Sequence, residues 1–375
     1  MRIKPEDQRQ LAARCIISIR NGVGESRREL SEAMEMSPST AGLYADQLIA
    51  AGYVIETGLK HGVMGRPKRR LEVRPEAGWF VGVEWNGNMA NAVRLDFAGG
   101  RLDLESRSFK EGVNAMEVME VIEEMIASLI KGKSGRFLGI GLGAPGVVNI
   151  ESGTVGDFGF IADWNEVPVK ARMEARFGVP VTVANNLRVI AVAERWFGGA
   201  KGMENFIILG PRSGLGVGLV IGGKLLDGVN HAAGELGNWG WNGPLGGSEL
   251  HLALSAPAVW RRLTHAAPGT PLPEDLRWEM ANIAAKLDDC WKEVAQDFGQ
   301  VVGCLHLLLD TEAIFVHGPL CGLGRGFWEA VVDLSIVLMP RLAARRPSLV
   351  CSTLTDEAGA LGAASLVMEH WVPIL

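Results

Sequence analysis

Cysteine is scarce and scattered in this 375-residue chain: the five residues, at 15, 290, 304, 321 and 351, include no close pair such as Cys-x-x-Cys. A disulfide framework and a cysteine zinc site are therefore not indicated, and the thiols are expected to be buried. No apolar stretch reaches the roughly 18 residues of a membrane span. The start, Met1 to Asp7, lacks the apolar run of a signal peptide. The expectation is a soluble, cytoplasmic protein with no membrane partner. Charged residues are only 21% of the chain and apolar residues 47%, a globular balance that excludes disordered and fibrous classes. The length implies two or three domains, each able to bury a core.

What charge there is has been divided unevenly. The total is −6, yet residues 1–75 hold 13 Lys and Arg against 9 Asp and Glu, leaving the remainder strongly acidic. Between Lys60 and Arg70 lie Lys60, Arg66, Lys68, Arg69 and Arg70 with no acidic residue. Such a window can neutralise several phosphates, although solvated basic loops are also common.

Leu11, Cys15, Ile16 and Ile19 recur at three- and four-residue spacing and predict a first helix ending at Asn21-Gly22. Ser26 followed by Glu29 is a capping-box signature for a second helix to about Met34. Ser37, with Pro38 at the first helical position, opens a third helix that runs to Ala51 and stops at Gly52. Two short helices so joined form a helix-turn-helix pattern. Strands around Tyr53–Glu56 and Arg70–Val73 flank the basic loop and make it a wing. Candidates to face DNA on the third helix are Ser37, Ser39, Thr40, Gly42, Leu43, Tyr44 and Gln47, a nearly uncharged surface reading bases by hydroxyls, amide and apolar contact. Arg66, Lys68 and Arg69 of the wing would supply phosphate contacts, and Gly65-Arg66-Pro67 is similar to an AT-hook core suited to a narrow minor groove. The competing reading is a helical protein-interaction module with a basic hairpin.

From Gly78 strands and helices alternate, and the same order of a hairpin followed by alternating elements occurs twice, first from Trp79 and again from Phe206. A duplicated α/β domain with a cleft between its lobes fits, although similarity between the halves is too weak to claim a repeat. The expected organisation is a winged helix-turn-helix over residues 1–75 and a two-lobed domain over 76–375.

Several motifs in order then carry a resemblance over nearly the whole chain: Ser26–Leu30 to Gly65-Arg66-Pro67, the loop Gly141–Gly146, Val183-Ala184-Asn185-Asn186, Gly234–Asn238 and Ala358–Ala364. The chain resembles the ROK family of repressors, open reading frames and sugar kinases, in its regulator branch. That resemblance implies an α/β fold of the actin-like, hexokinase-like type, with Asn185, Asn186, Glu235, Asn238 and Glu249 at the positions that hydrogen-bond sugar hydroxyls. Amides and carboxylates suit that task because each engages two adjacent hydroxyls.

Departures from the family pattern bear on function. Family kinases have Asn-Asp where this chain has Asn185-Asn186, and an amide cannot accept the sugar's proton; losing a general base typically costs about 10²- to 10⁴-fold. Glu84-Trp85-Asn86-Gly87-Asn88 replaces the usual Asp-x-Gly-Gly-Thr, so bulky Trp85 is expected to obstruct the first phosphate loop. The second, Ser213–Gly218, has its glycines. The family's zinc histidine is Asn238 here, and the following loop to Glu249 has no cysteine, so no metal is expected. Trp239 and Trp241 either fill the vacated space or stack on a sugar. The expected function is a DNA-binding transcription regulator, a repressor rather than an enzyme, with no cofactor and no catalytic residue. Its partners would be double-stranded operator DNA and a sugar or related effector, and its state a homodimer or dimer of dimers. The alternatives are a sugar kinase and a regulator governed by a protein partner.

Overall fold

In the computed structural model, residues 5–60, 68–241, 248–267, 269–284, 289–339, 341 and 345–375 are described. Three helices come first, α1 (Pro5–Arg20), α2 (Arg27–Ala33) and α3 (Pro38–Ala50), followed by the antiparallel strands β1 (Val54–Lys60) and β2 (Lys68–Val73). The two N-caps act as the sequence implies: Ser26 Oγ accepts from Glu29 N–H at 3.3 Å and Ser37 Oγ from Thr40 N–H at 3.2 Å. Cys15, Ile16, Ile19, Leu30, Ala41, Tyr44, Ala45 and Leu48 close the small core among them. The strands run several residues further toward the wing tip than their apolar residues predict, because pairing continues across polar positions.

Two sheets of identical order follow. The first joins β3 (Trp79–Trp85), β4 (Met89–Asp96), β5 (Arg101–Ser108), β6 (Phe137–Ala144) and, after the short pair β7 (Val148–Asn149) and β8 (Thr154–Val155), β9 (Val181–Asn185); its order is β5-β4-β3-β6-β9. Helices α4 (Ala115–Ile130) and α5 (Val169–Phe177) accompany it, and α6 (Asn186–Phe197) leaves directly from β9. The second joins β10 (Phe206–Pro211), β11 (Leu215–Ile221), β12 (Lys224–Leu225), β15 (Ala313–Val316) and β16 (Leu349–Cys351) in the order β12-β11-β10-β15-β16. Between these come the short pair β13 (Gly240–Trp241) and β14 (Ser248–Glu249), and helices α7 (His251–Leu254), α8 (Ala256–Thr264), α9 (Leu276–Ala284) and α10 (Asp289–Leu309). Helix α11 (Gly324–Val337) precedes β16, and α12 (Ala358–His370) ends the ordered series. In each sheet two antiparallel hairpin connections are followed by two parallel neighbours. The duplication too faint to claim from sequence is therefore explicit in topology.

Helices α6 and α12 pack on one another between the sheets, α12 on β3 and β6, α6 on β10 and β11. Glycines permit that approach. A Cβ on Gly141 would fall 1.7 Å from the Ala363 carbonyl oxygen, and one on Gly362 would fall 1.6 Å from that of Val189. This explains the small-residue run Ala358–Ala364, whose residues are all buried. Of the thiols expected to be buried, only Cys15 is; Cys290, Cys304, Cys321 and Cys351 are half-buried. No helix among the described residues is long and apolar enough to cross a membrane.

Candidate ligand cleft and nucleic-acid face

Strand β9 delivers Asn185 to the base of the cleft, where it caps α6 by accepting from Leu187 N–H at 2.8 Å. Its Nδ2 donates to the Gly146 carbonyl at 2.8 Å and to Glu235 Oε1 at 3.2 Å. Asn238 Nδ2 lies 3.4 Å from Glu235 Oε2. Glu235 follows Gly234, which holds φ +91° with the Val217 carbonyl 1.9 Å from where a Cβ would sit; only glycine fits. Burial pushes the Glu235 carboxyl pKa up, and the positive charge of Arg188 opposes that rise. Arg188, two residues into α6, donates to the carbonyls of Asp227 at 3.0 Å, His231 at 2.8 Å and Ala233 at 3.3 Å, and pairs with Asp227 Oδ1 at 3.0 Å. A fully buried arginine thus pins the loop that presents Glu235.

Asn185, Asn186, Glu235 and Asn238 line one cavity of about 390 Å³. Glu249 does not. It is exposed and sits 3.5 Å from Nε2 of His251, which does line the cavity and whose Nδ1 is 3.1 Å from the Gly237 carbonyl. Asp157, Phe158 and Phe160 have no signal in the sequence either; the two rings stand 5.2 Å apart on the cavity wall, Phe160 being 61% exposed. An aromatic wall opposite a carboxylate and amides is suited to a ring with an apolar face and hydroxyl edges. Trp239 is 48% exposed and is not among the residues that line this cavity; the side chain of Trp241 lies outside the described residues.

A second cavity of about 620 Å³ adjoins the first phosphate loop, lined by Asn86, Asn88, Asn91, Arg212, Ser213 and Arg277 among others. Trp85 does not obstruct it. Its ring is fully buried in the first lobe beside Trp164, with centroids 5.7 Å apart, because β-strand alternation turns it away from the cleft. Arg212 and Ser213 line both cavities, and Arg212 donates from Nη1 to Glu84 Oε1 at 2.8 Å. This buried pair spans the lobes. Burial drives the Arg212 pKa down, but the Glu84 charge and hydrogen bond leave it above its ordinary value. Sequence reasoning misses it because charge complementarity over 128 positions has no local signal.

On the N-terminal module, Ser37, Ser39 and Gln47 are exposed and Thr40 is half-buried. Ser37 Oγ also lies 2.9 Å from Ser39 Oγ and 2.8 Å from Thr40 Oγ1. Ser39, Leu43 and Gln47, spaced by four, form the outer stripe, Leu43 being 55% exposed. Tyr44, expected on that face, is only 4% exposed and packs in the core, since it shares the inner face with Ala41, Ala45 and Leu48. Arg69 pairs with Glu56 at 3.1 Å; Arg27 pairs with Asp46 and Glu56, and Arg70 with Glu25. Each of these arginines thus has a carboxylate within 3.1 Å in the chain alone, although Arg69 remains 73% exposed. Gly65, Arg66 and Pro67, and the side chain of Lys68, lie outside the described residues.

Among the described residues no three His, Cys, Asp or Glu side chains gather as a metal site. The family's zinc does not fit the donor set, since an amide stands at 238 and no cysteine occurs between 239 and 249.

Two sheets of the same order, paired helices between them and a polar cavity at the cleft base define an actin-like, hexokinase-like two-lobed protein with an N-terminal winged helix-turn-helix. Residues 102–370 match the ROK family, and the chain belongs to it. It is 27% identical over 373 residues to the xylose repressor of Bacillus subtilis, covering 93% of this chain and 92% of that one. It spans about half the length, 54%, of the xylose repressor of Caldicellulosiruptor bescii, at 29% identity and over 57% of this chain. A ROK family transcriptional regulator, a homologue of the E. coli MLC protein, has the same fold with a TM-score of 0.79 at 21% identity, covering 96% of this chain and 95% of that one. A ROK family glucokinase from Streptomyces griseus, solved with glucose and AMPPNP, matches 77% of this chain and 99% of its own at 27% identity and TM-score 0.62.

Proposed function

We propose that this chain is a sugar-responsive transcriptional repressor in which residues 1–75 bind operator DNA and residues 76–375 bind an uncharged sugar without phosphorylating it. The observation that carries the reading is the Asn185–Glu235 pair in the cleft, intact for hydroxyl recognition, next to Asn186, which offers no proton acceptor for phosphoryl transfer. The xylose repressors similar over most of the chain support an aldose as effector. The Arg212–Glu84 pair supports the absence of catalysis, because the arginine that lines both the sugar cavity and the cavity beside the phosphate loops is tied to a buried carboxylate.

DNA contacts are assigned to Ser37, Ser39, Thr40 and Gln47 for base edges, with Leu43 on the same stripe, and to Arg66, Lys68 and Arg69 for phosphates. In a symmetric dimer two such heads would read the halves of a palindrome. Effector binding shifts the population between two lobe arrangements and so the affinity for DNA. The test is fluorescence anisotropy on DNA flanking the protein's own gene, titrated with D-xylose and D-glucose, beside a coupled ADP-release assay. Sugar-dependent change in DNA affinity without ADP supports the reading; sugar-dependent ADP release restores the kinase alternative.

A further inference from the structure

Arg20 ends α1 of the N-terminal module, yet its head group lies inside the joint with the first lobe. Its Nε donates to the Phe97 carbonyl at 3.1 Å, and its guanidinium carbon sits 4.8 Å from the centre of the Phe97 ring. Both Nη atoms are shut off from solvent with no hydrogen-bond partner, an exception that calls for a reason in a folded protein. Burial pulls its pKa down to about 10 against the attraction of Glu369 and Asp96.

Those carboxylates are already engaged. Asp96 Oδ1 accepts from Ala98 N–H at 2.9 Å and Gly100 N–H at 2.8 Å. Glu369, in the last turn of α12, accepts from Arg195 Nη2 at 2.8 and 2.9 Å and from Trp196 Nε1 at 2.7 Å. Arg195 and Trp196 belong to the last turn of α6, whose first residue is Asn186 of the sugar cavity, about 14 Å away at helical rise. Immediately beyond α12, Trp371 packs against Tyr53 of the module and against Phe97, with centroids 5.2 and 5.4 Å away. One helix therefore has an end in the cleft and an end on Glu369, two residues before the Trp371 that packs on Phe97 and Tyr53.

We infer that Arg20 helps to position the DNA-binding module on the first lobe, and that Glu369, held by α6 two residues before Trp371 of the joint, makes this joint respond to the cleft. The inference rests on the proposed function for the nature of the signal, but the joint itself is geometric. With Glu369 held by Arg195, Arg20 is left with unpaired donors inside an otherwise packed joint. A displacement of α6 that frees Glu369 gives Arg20 its partner and seats the module differently. This is a two-state element, which contiguous packing alone would not supply.

Because a buried cation without partners disfavours the docked state, Arg20→Met and Arg20→Ala should act in opposite directions. Hydrogen exchange by mass spectrometry on the full chain reads residues 94–98, whose Phe97 N–H bonds the Pro75 carbonyl at 3.2 Å. Exchange should slow about threefold or more in Arg20→Met and quicken by a similar factor in Arg20→Ala. Glu369→Gln, which does not touch the module, should quicken it too. On the DNA side, the change in operator affinity caused by D-xylose should shrink about tenfold in Arg20→Met while calorimetry still detects D-xylose binding. Faster exchange in both Arg20 variants would reduce Arg20 to a structural residue and overturn the inference, as would a full D-xylose response in Arg20→Met. If D-xylose and D-glucose leave the unmodified protein's DNA affinity unchanged, the sugar reading falls alone, and opposite exchange shifts in the two variants still establish the joint.

Discussion

Replacing Glu235 by alanine separates recognition of the effector from recognition of DNA. In the folded chain the carboxylate accepts from Asn185 Nδ2 at 3.2 Å, but that amide keeps its bond to the Gly146 carbonyl. Arg188 likewise keeps Asp227 and three carbonyls. Asn238 Nδ2 loses its 3.4 Å contact with the carboxylate but is exposed to water, which can replace it; a carboxylate disfavoured by burial is removed, so the melting temperature should not fall. A sugar hydroxyl entering the cleft, by contrast, loses a charged acceptor, worth about 1.5 to 3 kcal/mol, or about 10- to 150-fold in Kd. Calorimetry with D-xylose should show that loss, while anisotropy without sugar shows operator affinity within about a factor of three. The sign of the pH dependence follows: since burial raises the Glu235 pKa, effector affinity should be full near neutrality and decline as pH falls toward that raised value, earlier than an ordinary glutamate would dictate. Unchanged D-xylose affinity in Glu235→Ala, or collapse of sugar-free DNA binding, would refute the assignment.

Four further outcomes are expected. Arg66→Ala with Lys68→Ala should weaken binding across DNA sequences and flatten the log–log salt slope by about 0.9 for each phosphate no longer neutralised, whereas Gln47→Ala should cost about 1 to 3 kcal/mol and relax preference at one base position; an unchanged slope defeats the wing assignment. His317, fully buried and 3.4 Å from the Thr355 carbonyl, has its pKa lowered to about 3 by burial and by nearby Arg212; folded stability should therefore be full above about pH 6.5 and decline as pH falls toward 3, a dependence that His317→Asn should flatten in thermal melts. Metal analysis should find no stoichiometric zinc, and a chelator should leave the melting temperature unmoved.

Much of this architecture is legible in the sequence because local rules act locally. Ser26 and Ser37 announce their helices by capping, and the spacing of Leu11, Cys15, Ile16 and Ile19 is that of one buried face. The pair Asn185–Asn186 is placed by the resemblance to the ROK family, and the structure sets it where a strand end meets a helix cap. Misplacements arise where facing has to be assigned within an element. Tyr44 has a hydroxyl suited to DNA but lies one position past Leu43, on the inner face; Trp85 alternates away from the cleft. Glu249 ends the loop that follows Asn238, and the residue that reaches the cavity is His251, two positions on. Arg188, Arg212 and Arg20 are invisible for a different reason: their partners lie on other elements, 39, 128 and 77 positions away, and only the folded chain brings them together.

The central claim is that one cleft binds sugar and thereby governs DNA binding without chemistry. It is tested most directly by titrating D-xylose into the unmodified protein bound to its operator, with ADP release followed in the same cuvette in the presence of ATP. The account predicts a saturable change in anisotropy of about tenfold or more in apparent DNA affinity, abolished in Glu235→Ala, and a flat ADP trace. A rising ADP trace that depends on D-xylose or D-glucose, with DNA affinity indifferent to both, would contradict it.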